Sequence, residues 1–163
     1  MWLKIFYYAA VLIILAYLMI TIIKFRDIPP SISQTYYIWK GAGKEWLFTM
    51  VMWITGISVL IYWISAAELY RCQFLPFVSI SGMCFVGGAC MFKETLTKEV
   101  HYTSAGIWAI GAVLFFAINQ MFYPMVVGIG VGVIGWLLNK RNNFTFWAEI
   151  ACVVQMIVGI WLI

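Results

Sequence analysis

The chain predicts an all-α, polytopic membrane protein: a compact bundle of six transmembrane helices forming a single domain over residues 1–163. Three observations carry this. Hydrophobic residues make up 65% and charged residues 10%, with a mean hydropathy of +0.98, whereas an ordinary soluble domain is about 25% charged. The apolar residues fall in runs near the ~20 residues that cross a ~30 Å hydrocarbon core as a helix. Those runs lack the alternation of a membrane strand, so a barrel is excluded and helices remain.

The spans follow in order. Span one covers residues 5–23 and stops at Lys24-Phe25-Arg26-Asp27. It is longer than the apolar core of a signal peptide and lacks a small-residue cleavage site, so it is expected to be retained. Span two covers 46–65 and closes at Glu68 and Arg71; span three covers 74–92 and ends at Lys93-Glu94. Span four covers 101–119. Span five covers 124–138, with Pro124 suited to a first helical turn, and ends at Asn139-Lys140-Arg141; span six covers 144–163. The connections are short except for the loop 24–45. Pro29-Pro30 should make its start extended, and Tyr36, Tyr37 and Trp39 supply rings that favour the headgroup level, so it is expected to lie along the membrane surface.

Small residues indicate how the spans pack. Gly128, Gly132 and Gly135 recur along span five, and Gly87-Gly88 sit in span three. In lipid, close approach of small residues drives helix association. Contact within the monomer is the first reading of these small-residue faces, and a homo-oligomer face through Gly128, Gly132 and Gly135 or a lipid groove is the alternative. Asn119, Gln120 and Gln155 are expected to join helices through their amides. Cys72, Cys84, Cys90 and Cys152 have neither paired metal-site spacing nor a secreted-scaffold pattern and read as packing thiols.

With six crossings, one side holds Lys4 and Arg71, and the other holds Lys24, Arg26, Lys40, Lys44, Lys93, Lys98, Lys140 and Arg141. Over short loops this asymmetry predicts the basic side in the cytoplasm and both termini outside, in what reads as a bacterial cytoplasmic membrane. The formal charge of +4 suits contact with anionic lipid. No basic stripe exists beyond the membrane flanks, which argues against nucleic acid.

The residues able to carry chemistry map to that basic side. Ser31 and Ser33 lie in the long loop, Glu94 and Glu99 precede His101, and Ser104 shares a helical face with His101. Glu149 lies a turn or more inside span six. A carboxylate at that depth is costly unless paired or hydrated, which marks it as a candidate site residue; the alternative is an anchor for the Ser31–Ser33 backbone. His101 and Glu149 are the candidate catalytic pair, and Ser31, Ser33, Ser104, Glu94 and Glu99 the candidate pocket. A serine–histidine–acid arrangement would need Ser31 or Ser33 to meet His101, with Glu149 or Asp27 orienting the ring. His101 reads equally as a helix-end residue satisfied by a neighbour or by water. One histidine cannot build a multi-histidine zinc site; a mixed site with Glu94, Glu99 or Glu149 is chemically possible, but no metal or cofactor is implied. No nucleophile elbow, phosphate loop or dinucleotide fingerprint is present. The scarcity of charge within spans, with no inverted repeat of broken helices, argues against a transporter.

The order of these signals resembles the superfamily that includes the DRAM autophagy modulators, the Frag-type lipid-anchor remodelling proteins and the Sfk proteins. The matching elements are Pro30-Ser31-Ile32-Ser33 after span one, Phe48 near the start of span two, and a small-residue third span. They continue with Val100-His101-Tyr102 opening span four and Ala148-Glu149 in the last span. The resemblance covers nearly the whole chain through short motifs. Gln34-Thr35-Tyr36 stands where that superfamily often has an acidic residue and glycine. The resemblance implies a compact six-helix protein that acts on, senses or organises lipid, with the polar face luminal in eukaryotic members. Three functions are therefore expected to compete: a lipid-binding protein with a polar pocket at one membrane face, a lipid-modifying transferase or hydrolase using His101, and a structural or assembly protein.

Overall fold

The structure, a computed structural model, describes residues 2–89, 94–139 and 143–163, with only the backbone described for 94–98. Among the described residues there are seven α-helices and no strand. They are α1 (Trp2–Phe25), α2 (Thr35–Lys40), α3 (Trp46–Ala66), α4 (Phe74–Ala89), α5 (Glu94–Ile118), α6 (Phe122–Leu138) and α7 (Phe144–Trp161). A short 3-10 turn, Ala67–Leu69, extends α3.

Four of these helical segments are long and apolar enough to cross a membrane: Trp2–Phe25, Trp46–Leu69, Glu99–Ile118 and Phe144–Trp161. The other two apolar helices, α4 and α6, have 16 and 17 residues, about 25 Å at 1.5 Å per residue. Span three was expected to run to residue 92, and its last three residues lie outside the described part. Span four starts earlier than expected, at Glu94.

Helix ends follow the local sequence. Arg26, Cys72 and Gln120 adopt φ of 53°, 57° and 57°, the left-handed turn with which chains commonly leave a helix. Gln120 sits in a three-residue turn between α5 and α6. Its neighbour Asn119 acts as the expected amide link. It accepts from the Arg71 amide at 2.8 Å and donates to the Arg71 and Phe115 carbonyls at 3.2 and 2.8 Å. Gln155 Nε2 is buried without a partner among the described residues.

Glycine positions set the helix pairs. A Cβ on Gly82 would stand 2.6 Å from the Trp108 amide nitrogen and 2.7 Å from the Ser104 carbonyl, so α4 and α5 touch backbone to backbone. A Cβ on Gly87 would meet Met52 at 2.6 Å, seating α4 on α3. A Cβ on Gly128 would reach the Ala151 carbonyl at 2.6 Å and one on Gly132 the Trp147 carbonyl at 2.9 Å, while one on Gly135 would overlap the Trp147 ring. The stripe Gly128, Gly132 and Gly135 is thus filled by α7 within the chain. Between helices the core is aromatic: Trp63 packs edge-on to Phe115 at 5.4 Å and stacks on Phe116 at 5.7 Å. Apolar side chains such as Leu12, 67% exposed, point outward, as a lipid-facing surface requires.

Candidate functional site

Between α1 and α3 the chain packs part of its length against the bundle: Ser31, Ile32, Thr35 and Trp39 are buried, while residues 40–44 are exposed. The aromatic expectation divides accordingly. Tyr37 is exposed, but Trp39 is buried and donates its indole N–H to Thr21 Oγ1 at 3.0 Å.

The segment is held on two sides. On the α7 side, Asn143 Nδ2 donates to the Ile28 carbonyl at 3.1 Å, the Phe146 amide donates to the Pro30 carbonyl at 3.0 Å, and the Ile32 amide donates to Glu149 Oε2. Every third residue of the helix start thus meets every second residue of an extended segment. The Phe146 amide is one of the four N–H groups that a helix N-terminus leaves without a partner, and the Pro30 carbonyl satisfies it. The Pro-Pro pair supplies the extended backbone without amide hydrogens of its own that would need satisfying.

On the α1 side a chain of hydroxyls holds the segment. Tyr17 donates to Thr35 Oγ1 at 2.7 Å, Thr35 donates back to the Ile32 carbonyl, and Thr21 donates to the Tyr17 carbonyl at 2.8 Å. Lys24 places its Nζ 4.3 Å from the centre of a Trp39 ring, a cation–π contact at the end of α1. Ser31 Oγ accepts from the Gln34 amide at 3.0 Å, turning the chain into α2, and lies 3.0 Å from Ser33 Oγ. Ser33 Oγ reaches Glu149 Oε1 at 3.4 Å. Both carboxylate oxygens of Glu149 therefore face this loop. That is the hydrogen bonding a carboxylate at this depth requires.

The remaining candidates fall elsewhere. Ser104 is buried against α4, and Ser79 Oγ donates to the Trp108 carbonyl at 2.8 Å in the same seam. His101, Ser104 and Trp108 are spaced i, i+3, i+7 along α5, which places the half-buried His101 ring on the stripe that meets α4. Its described ring contact is Tyr102, centroids 5.7 Å apart. Phe116 fills the notch at Gly159, a register in which His101 lies about level with Phe144 at the end of the bundle that holds the Pro-Pro segment. Glu99 is exposed, and the Glu94 side chain lies outside the described part. Among the described contacts none joins His101 to Glu149, Ser31, Ser33 or Asp27. The buried candidate residues thus fall in two places, with Ser31, Ser33 and Glu149 beside α7 and Ser104 on the α4–α5 seam. Among the described residues no group of three potential metal ligands comes together.

Two cavities accompany these clusters. One, of about 330 Å³, runs between α3 and α4 on the outer face, with Trp53, Leu60, Cys84, Phe85 and Gly88 on its walls. The other, of about 520 Å³, opens at the end of α1 between Ile22, Ile23, Arg26, Asp27, Ile28 and Asn139. Sequence reasoning missed Asn143, Thr35, Thr21 and Tyr17 as members of the polar network. The signal available was the i, i+4 pair Tyr17 and Thr21 in an otherwise apolar span. Comparison with known proteins finds no matching family model, no matching curated protein and no matching solved structure.

Proposed function

We propose that this is a six-crossing membrane protein that binds lipid without chemically altering it, holding an acyl chain in the groove between α3 and α4. The observation that carries the reading is that groove. It is apolar, faces outward, and has a volume of about 330 Å³, within the roughly 300–1,000 Å³ of small-molecule sites. The two glycines of α4 divide the labour. Gly87 is pressed against Met52, whereas a Cβ on Gly88 meets only Trp53 Nε1, at 4.0 Å. Gly88 thus leaves room where Gly87 brings helices together.

Glu149 supports a binding reading over a catalytic one. Its oxygens are engaged by Ile32 and Ser33, so its role is to pin the loop. The hydrolase or transferase alternative needs a nucleophile or acid beside His101, and the described contacts supply none. The six-crossing reading is supported by the antiparallel packing of α4 and α6 against longer neighbours, with Gly87 beside Met52 and Gly132 beside Ala151.

The test uses a phospholipid bearing a photoactivatable acyl chain, cross-linked to the protein in membranes. Gly88→Leu fills the groove without driving the helices apart and is expected to reduce labelling of α3 and α4 about tenfold at unchanged thermal stability. Undiminished labelling in a folded Gly88→Leu protein rules the groove out as the lipid site.

A further inference from the structure

We propose that the cavity at the end of α1 is a glycerophospholipid headgroup site, in which Arg26 and Asn139 hold the phosphate and Ile22 and Ile23 support the chains. This site is separate from the α3–α4 groove and stands on other observations. Its volume, about 520 Å³, and its walls combine two chemistries in one opening: apolar Ile22 and Ile23 on the last turn of α1, then Arg26 and Asn139 beyond them. Ile23 is 69% exposed. That order, aliphatic below and cationic or amide above, matches a phospholipid lying along α1 with its phosphate at the basic end of the bundle.

Asn139 supplies the second observation. It caps the C-terminal end of α6, and its Nδ2 is buried without a hydrogen-bond partner among the described residues. A buried amide donor left unpaired is costly. Asn139 also lines the opening, so rotation of its amide group can offer the donor to an acceptor there. Arg26 contributes the charge. A guanidinium presents several donors in a planar fork suited to phosphate oxygens. Asp27 also lines the opening, and its Oδ1 accepts from the Ile28 amide at 2.8 Å, shaping the turn that carries Arg26. A free anion would gain from the donors alone, whereas a lipid gains from the isoleucines as well.

The left-handed backbone at Arg26, φ 53°, provides an unusually clean variant. Glycine adopts that conformation without penalty, so Arg26→Gly removes the guanidinium while favouring the fold. The experiment uses the full chain in detergent micelles supplied with dioleoylphosphatidylglycerol, dioleoylglycerol or inorganic phosphate, and counts retained molecules by native mass spectrometry. The wild-type protein is expected to retain the phosphatidylglycerol at least tenfold better than the diacylglycerol, which has the same chains and no phosphate. Arg26→Gly should abolish that preference with its thermal midpoint kept or raised, and Asn139→Leu should weaken it several-fold. Gly88→Leu should leave the phosphate-dependent preference intact, which separates failure here from failure of the acyl groove. Equal retention of the two lipids, an unchanged preference in Arg26→Gly, or inorganic phosphate binding as well as the lipid would overturn the proposal.

Discussion

Glu149 is the residue at which chemistry and architecture meet. Its carboxylate lies within the first half of a membrane-length helix and accepts the Ile32 amide, with Ser33 Oγ 3.4 Å from its other oxygen. Replacing it by leucine would strand the amide of the buried Ile32 without its acceptor. A buried donor left unpaired costs about 1–3 kcal/mol. Glutamine keeps one acceptor oxygen and should cost less. Glu149→Leu is therefore expected to lower the thermal midpoint in detergent and expose residues 28–45 to protease, with Glu149→Gln intermediate. A Glu149→Leu protein as stable as wild type would mean that the carboxylate is retained for something other than holding the loop. The sequence identified this residue from its depth alone, and it also raised the anchoring role that the structure displays. It could not reveal that Asn143 and Phe146 share the task, because a helix-start amide meeting a proline carbonyl leaves no mark in side-chain identity.

At the scale of elements, glycines differ by what stands opposite them. A Cβ on Gly135 would overlap the Trp147 ring, while one on Gly130, on the same helix, meets nothing within 4 Å. Overpacking a tight contact costs roughly 1–3 kcal/mol. Alanine for glycine in an open helical position gains up to about 1 kcal/mol. Gly135→Ala and Gly130→Ala should consequently shift unfolding in opposite directions, measured by thermal melts of the purified protein. Equal shifts would show that α7 does not rest on that stripe. The small-residue pattern on span five was legible as a packing face. Which helix fills it was not, since a stripe of glycines accepts any partner that fits. The long loop was legible as an interruption but not as an inserted element. Its aromatic residues suit the interface and an interior equally well, and the hydroxyls of Tyr17, Thr21 and Thr35 bring Trp39 inward.

Across the whole molecule, the helix starts and ends sort the described polar groups by end. The Pro30 contact with Phe146 joins the end of α1 to the start of α7, and Tyr7 donating to the Ile157 carbonyl joins their opposite ends. Charge asymmetry then gives the orientation to be tested. With native cysteines removed, Lys44→Cys is expected to be shielded from a membrane-impermeant maleimide in intact cells. Leu69→Cys, at a position 93% exposed, is expected to react. The reverse pattern would put the Pro-Pro segment on the outer face, as the superfamily resemblance implies.

Composition and run length by themselves determined that this chain enters a membrane as helices, because apolar segments of that length have no other way to satisfy their backbones there. They also located the polar residues along the chain. Only the tertiary structure decided that these residues divide between two seams, that the glycine stripe is consumed by α7, and that the loop turns inward. Inside a bilayer apolar burial distinguishes no helix partner from another. Close steric fit and individual hydrogen bonds make that choice, and both are properties of surfaces brought together rather than of any one segment.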